Sequence, residues 1–182
     1  AIEMLGGVLP TTREGIAGLS PDDAGRVLAE RANLHGRAGE LQELVEEIAV
    51  DVFRRDVVAI EGADRFVTAV RRWCPVVVAT NSPRDIAEAS LSASGLTDLV
   101  DVLVTVDEVG AGKPAPDLYR EACRRVGAEP ARTIAVEDSV TGYRAVLAAG
   151  LLPLVFGGLD PRDLPEPMGR IPAWSRAAVT YG

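Results

Sequence analysis

From Val76 to Gly158 the chain switches repeatedly between two hydrophobic periods, and this alternation limits its fold more than any other feature. "VVVAT" (76–80) is a continuous β-branched run, the pattern of a strand buried on both faces. "SPRDIAEASLSASG" follows with helical spacing, placing Ser82 at the N-cap, Pro83 at N1, Asp85 at N3 and Gly95 at the close. "VDVLVTV" (100–106) is the next strand and "APDLYREACRRVG" the next helix, ending at Gly127. "TIAVED" (133–138), "SVTGYRAVLAAG" and "LLPLVFGG" (151–158) then add a strand, a helix and a final strand. Strand and helix in strict turn predict an α/β fold, a doubly wound parallel sheet with a Rossmann-like core. The Pro-rich remainder is predicted as loop, with a short apolar segment near Trp174.

The first part of the chain has a different texture. "SPDDAGRVLAERANL" opens on a capping pattern at Ser20 and carries Ala24, Val27, Leu28 and Ala32 on one face. "GELQELVEEIAVDVFRR" aligns Leu41, Leu44, Val45, Ile48, Val52 and Phe53. Two amphipathic helices, each needing a surface to cover its stripe, make residues 1–58 a helical unit distinct from an α/β core over 59–182.

At 182 residues with 47% hydrophobic and 25% charged positions, the chain has the composition of a globular protein. A net charge of −8 with no basic patch in sequence argues against a nucleic-acid or anionic-membrane surface, and 4% aromatic content argues against a stacking platform for single strands. No segment has the length or apolarity of a membrane span or leader. Cys74 and Cys123 have no metal-ligand spacing and read as small buried thiols in a reducing, cytoplasmic setting. His35, the single histidine, has no partner in sequence and is expected on the helical surface.

Ligands of open α/β sheets sit beyond the carboxyl ends of the strands, so the residues after each strand carry the chemistry. These are Thr80, Asn81 and Ser82 after the first strand, Lys113 in the loop after the second, and Glu137 with Asp138 at the end of the third. Each has an ordinary explanation alone: a helix-start turn, a solvated charge, an N-terminal capping pair. "GAGK" is not a nucleotide-binding loop, because Asp107 and Pro114 stand where that pattern needs Gly and Ser or Thr. Together they read differently. A hydroxyl at a helix start, a compact ammonium and a pair of hard carboxylates are the parts of a phosphoryl-transfer site using Mg²⁺. Of 19 basic residues Lys113 alone is lysine, which marks a position where a point charge matters.

"VVVATNSPRD", "GKPAPDLYREACRRVG" and "TIAVEDSVTGYRAVLAAG" resemble the second, third and fourth motifs of the haloacid dehalogenase-like hydrolases, in particular the beta-phosphoglucomutase-like subgroup. The resemblance implies that Thr80 holds a phosphoryl oxygen with the Asn81 amide assisting. Lys113 would neutralise charge on phosphate and nucleophile, and Asp138 and Glu137 would ligate Mg²⁺. It implies a helical cap over 1–58 and a small phosphorylated metabolite as substrate. The implied activity is hydrolysis through an aspartyl-phosphate; a phosphosugar mutase and an inactive binding or regulatory relative are the alternatives. The family's first motif, a strand ending in Asp-x-Asp that provides the nucleophile, has no counterpart, since "SPDDAG" and "VTVDEVG" do not fit. The loop "AGLSPDD" also lacks the basic residue of some sugar-phosphate mutases. The expectation is that this strand belongs to an N-terminal segment outside the sequence and seats between 76–80 and 133–138, which should then not pair with each other.

Overall fold

The computed structural model describes residues 1–11, 21–157 and 169–171. Helices α1 (Pro21–Arg31) and α2 (Ala38–Asp56) come first, followed by α3 (Ala63–Arg71). Strand and helix then alternate as β1 (Val77–Ala79), α4 (Arg84–Ala93), β2 (Val102–Val104), α5 (Asp117–Val126), β3 (Ile134–Glu137), α6 (Val140–Ala149) and β4 (Leu152–Phe156). A further strand, β5 (Gly169–Ile171), lies in the stretch expected to be loop, where three residues between prolines give no readable period. The Ser20 cap and the Trp174 segment fall outside the described residues.

All strand pairs are parallel, as the β-branched runs require. They form two sheets rather than one: β1 pairs with β2, and β3–β4–β5 form a separate sheet. β1 and β3 share no ladder, although Ala79 of β1 packs against the cluster that contains Ala135 of β3. The register sets Ala79 opposite Val104 and Glu137 opposite Val155, so that within each sheet the carboxyl ends are level.

The core of the α/β part is held by α5 and α6. Tyr119, Cys123, Ala135, Ala145, Val146, Ala149 and Leu151 form one buried cluster, and Val104, Leu118 and Ala122 another beside β2. Each fully buried Val or Leu here contributes roughly 1.5–3 kcal/mol relative to exposure. α5 stops at Gly127, whose φ of 64° is left-handed and whose N–H returns to the carbonyl of Arg124. α6 starts from Ser139, whose hydroxyl accepts from the Gly142 N–H at 3.0 Å.

Three expectations are corrected. α4 begins at Arg84, with extended Pro83 (ψ 156°) at its cap position, and Ser82 does not cap it; the Ser82 N–H donates instead to Thr80 Oγ1 at 3.0 Å. Cys123 is buried, but Cys74 is exposed, because α3 has already ended and the chain is turning toward β1. The apolar stripe of α2 is covered only in part. Leu41 is buried with Ala29, Ala32 and Leu34 between α1 and α2, and α2 also packs on α4. Val45, Ile48 and Val52 remain exposed, while the Phe53 side chain lies outside the described set. His35 is on the surface, as expected.

Candidate active site

The ends of β1, β2 and β3 deliver the sequence-derived residues, and Lys113 is where they meet. The loop after β2 first makes a short 3₁₀ turn over Val106–Glu108, capped by Thr105. It then runs through Gly112 to Lys113 and Pro114 before α5 begins. The ammonium of Lys113 lies 2.5 Å from Glu137 Oε1 at the end of β3, with only 14% and 5% of the two side chains exposed. Breaking an ion pair this buried costs about 3–5 kcal/mol, since the surviving charge has no water to turn to.

Tyr119 completes this cluster. Its hydroxyl donates to the same Glu137 Oε1, and its ring centroid lies 5.1 Å from Lys113 Nζ, within cation–π range. Burial pushes the Tyr119 phenol up from its ordinary value and the neighbouring Glu137 charge pushes it further, so it stays a neutral donor. The other carboxylate oxygen, Oε2, accepts from the Ser139 hydroxyl at 3.2 Å. Room for the carboxylate comes from Gly142 in the first turn of α6, where any Cβ would overlap it.

Asn81 reaches Lys113 from the other side. Lys113 N–H donates to Asn81 Oδ1 at 2.7 Å, and Asn81 Nδ2 donates to the Lys113 carbonyl at 3.1 Å. Thr80 stands beside it, half-buried; its Oγ1 accepts from Ser82 N–H, which leaves its own O–H as a donor. Asp138, next to Glu137 in the chain, is exposed. Among the described residues, Thr80 and Asp138 make no hydrogen bond to the Lys113–Glu137 pair. The structure thus joins Lys113, Glu137 and Asn81 directly, and Thr80 and Asp138 adjoin Asn81 and Glu137 in the chain.

Tyr119, Gly112 and Gly142 were not singled out in the sequence. Tyr119 reads as one more apolar residue of an amphipathic helix, and nothing in its spacing reveals where its hydroxyl points. Gly142 carried a usable signal, because glycine inside a helix costs about 1 kcal/mol relative to alanine and so calls for a packing reason.

Among the described residues no group of three or more His, Cys, Asp or Glu side chains is placed to hold a metal ion. Glu137 and Asp138 nevertheless fit Mg²⁺, which takes one or two carboxylates and fills its remaining positions with water and phosphate oxygens.

Residues 13–150 match the family model for haloacid dehalogenase-like hydrolases. The chain belongs to that family. A validoxylamine A 7'-phosphate phosphatase of Streptomyces hygroscopicus subsp. limoneus is 36% identical over 115 residues, covering 61% of this chain and 54% of that protein. A fructose-1-phosphate phosphatase of Escherichia coli strain K12 is 38% identical over 120 residues, 64% of this chain and 60% of its own length. The chain therefore spans a little over half of these relatives. The crystal structure of a beta-phosphoglucomutase from Clostridium difficile superposes with a TM-score of 0.80 over 97% of this chain and 82% of that one, at 16% identity. The expected α/β fold of this family is the observed one. No helix among the described residues is long and apolar enough to cross a membrane.

Proposed function

We propose that this haloacid dehalogenase-like chain is the larger part of a Mg²⁺-dependent phosphohydrolase acting on a small phosphorylated metabolite of the sugar-phosphate type. The observation that carries the reading is the buried Lys113–Glu137 pair, which holds the Lys113 ammonium in one place at the carboxyl ends of the strands. Two relatives named as phosphatases of phosphorylated small molecules point the same way.

In this reading Thr80 donates its O–H to a phosphoryl oxygen, and the Asn81 backbone N–H adds a second donor. Lys113 balances charge on the phosphoryl group and on the nucleophile as the bond to phosphorus changes hands. Asp138, and Glu137 directly or through water, would hold Mg²⁺, which when bound supplies electrostatic stabilisation of the phosphate oxygens. The nucleophile is an Asp outside this sequence, on a strand between β1 and β3. The break between the two sheets supports that assignment, because among the described residues β1 and β3 each keep one edge without a strand partner. Attack by that carboxylate would form an aspartyl-phosphate and release the dephosphorylated metabolite, and water would then free phosphate. The unit over residues 1–58, with α1 and α2, would act as the cap that excludes bulk water.

Hydrolysis is favoured over mutase chemistry by the names of these relatives and by the absence of a basic residue in "AGLSPDD". The test is a screen of phosphorylated metabolites with the full-length protein and Mg²⁺, comparing wild type with Lys113→Ala and Asp138→Ala. Each substitution should lower turnover by at least about a thousandfold while thermal unfolding stays cooperative. Near-wild-type rates in either variant would refute the site.

A further inference from the structure

The Asn81 side chain makes two hydrogen bonds to one residue, and that residue is Lys113. Oδ1 takes the lysine's N–H at 2.7 Å and Nδ2 gives to its carbonyl at 3.1 Å, joining chain positions 32 apart. The amide therefore binds the Lys113 backbone as a paired strand would, fixing orientation as well as distance. Gly112 makes this possible: a Cβ there would sit 2.7 Å from Asn81 Oδ1 and 3.0 Å from Val106 Cγ2. The Ala115 N–H closes the turn on the Gly112 carbonyl at 2.9 Å. At the far end of the side chain, Nζ is held by Glu137. Lys113 is thus fixed twice, its backbone from the end of β1 and its ammonium from the end of β3. A free lysine side chain samples many rotamers, and a site that needs the charge in one place must remove that freedom beforehand.

We propose that Asn81 is a positioning residue that acts through Lys113, and that its side chain does not itself hold the phosphoryl group. The proposal rests on the reading of Lys113 as a phosphate-neutralising residue. Nδ2 keeps a second N–H, so a direct phosphate contact is the alternative to be separated.

The two roles differ in a double-mutant cycle on inorganic phosphate binding, measured by titration calorimetry with Mg²⁺ on the full-length protein and needing no turnover. Asn81→Ala should weaken phosphate binding about tenfold, and Lys113→Ala more. In the Lys113→Ala background, Asn81→Ala should then change the affinity by less than about twofold, because there is no ammonium left to place. Gly112→Ala, which leaves the asparagine intact but intrudes on its clamp, should behave like Asn81→Ala and guards against a folding artefact. Additive losses in the double variant, or a Gly112→Ala protein that binds normally, would overturn the positioning role. If Lys113→Ala alone leaves phosphate binding unchanged, the functional reading fails, whatever Asn81 does.

Discussion

Lys113 and Arg125 both follow β2 in the chain, one in the loop and one near the end of α5, and they spend the same formal charge in opposite ways. Lys113 is nearly enclosed, and its ammonium and the Tyr119 hydroxyl converge on a single oxygen of Glu137. Arg125 spreads its fork over Glu121 (2.7 Å), Glu108 (3.1 Å) and the Leu103 carbonyl (3.1 Å). Arg84 at the start of α4 repeats the pattern, bonding Glu88 at 3.0 Å and Glu108 at 2.5 Å. The arginine cluster is redundant, half-exposed and structural: it ties α4 and α5 to the turn after β2. The lysine cluster has no spare contact. A fork suits the first task and a point charge the second, which accounts for one lysine among nineteen basic residues.

The sharpest way to break this contrast is to exchange the chemistries. Lys113→Arg keeps the charge but puts a planar, wider head into a space fitted to an ammonium over the Tyr119 ring. Phosphatase turnover of the full-length protein should fall by about a hundredfold or more, roughly 3 kcal/mol of barrier. Steady-state kinetics on the best substrate of the metabolite screen would measure it. Activity within about threefold of wild type would show that any positive charge serves.

The tightness of the lysine cluster can be probed without touching a charge. Gly142→Ala adds one methyl group where the Glu137 carboxylate lies, so either the carboxylate or the first turn of α6 must move. Forced overpacking of this kind costs about 1–3 kcal/mol, to be read as a lower midpoint in urea unfolding. A glycine elsewhere on the surface of the molecule, such as Gly39, meets nothing within 4 Å, and Gly39→Ala is the matched control that should not destabilise.

The same contrast explains what was legible before the structure. Lys113, Glu137 and Asn81 stood out because strand ends are readable from β-branched runs and because their residue types are chemically unusual there. Their order along the chain matches the order of the strands. The hydrogen bonds between them were not readable, since a bond spanning 32 residues leaves no local period. Tyr119 was hidden because an aromatic on an amphipathic helix satisfies the core pattern whether or not its hydroxyl has a task. The start of α4 lies one residue later than Ser-Pro suggests: the pair matches a capping pattern, yet Pro83 stays extended and itself takes the cap position. The exposed side of α2 shows the limit of periodicity, which tells that a stripe wants cover but not what covers it.

Glu108 gives the smallest effect and the most distinctive signature, because it titrates. Partial burial pushes its carboxyl up, but the Thr105 N–H, Arg125, the Thr105 hydroxyl and Arg84 together bring it down to about 2 from an ordinary 4.5. A carboxylate depressed in the folded state stabilises wherever the unfolded form would already be ionised, and that contribution disappears as acid reaches the folded value. The stabilisation is therefore complete above about pH 4.5 and drains away between there and about pH 2. Glu108→Gln removes the charge-assisted bonds at every pH and should cost about 1 kcal/mol near neutrality. Measured by urea unfolding along a pH series, the gap between wild type and Glu108→Gln should be constant from pH 7 to 5 and close below 4.5. Catalytic constants at pH 7 should be nearly unchanged, because Arg84 and Arg125 still hold the Leu103 carbonyl and Thr105 remains buried. A gap that persists unchanged to pH 2.5 would mean that the arginine cluster owes nothing to this carboxylate's charge, and the distinction between a redundant scaffold and an unbacked site would have to be drawn elsewhere.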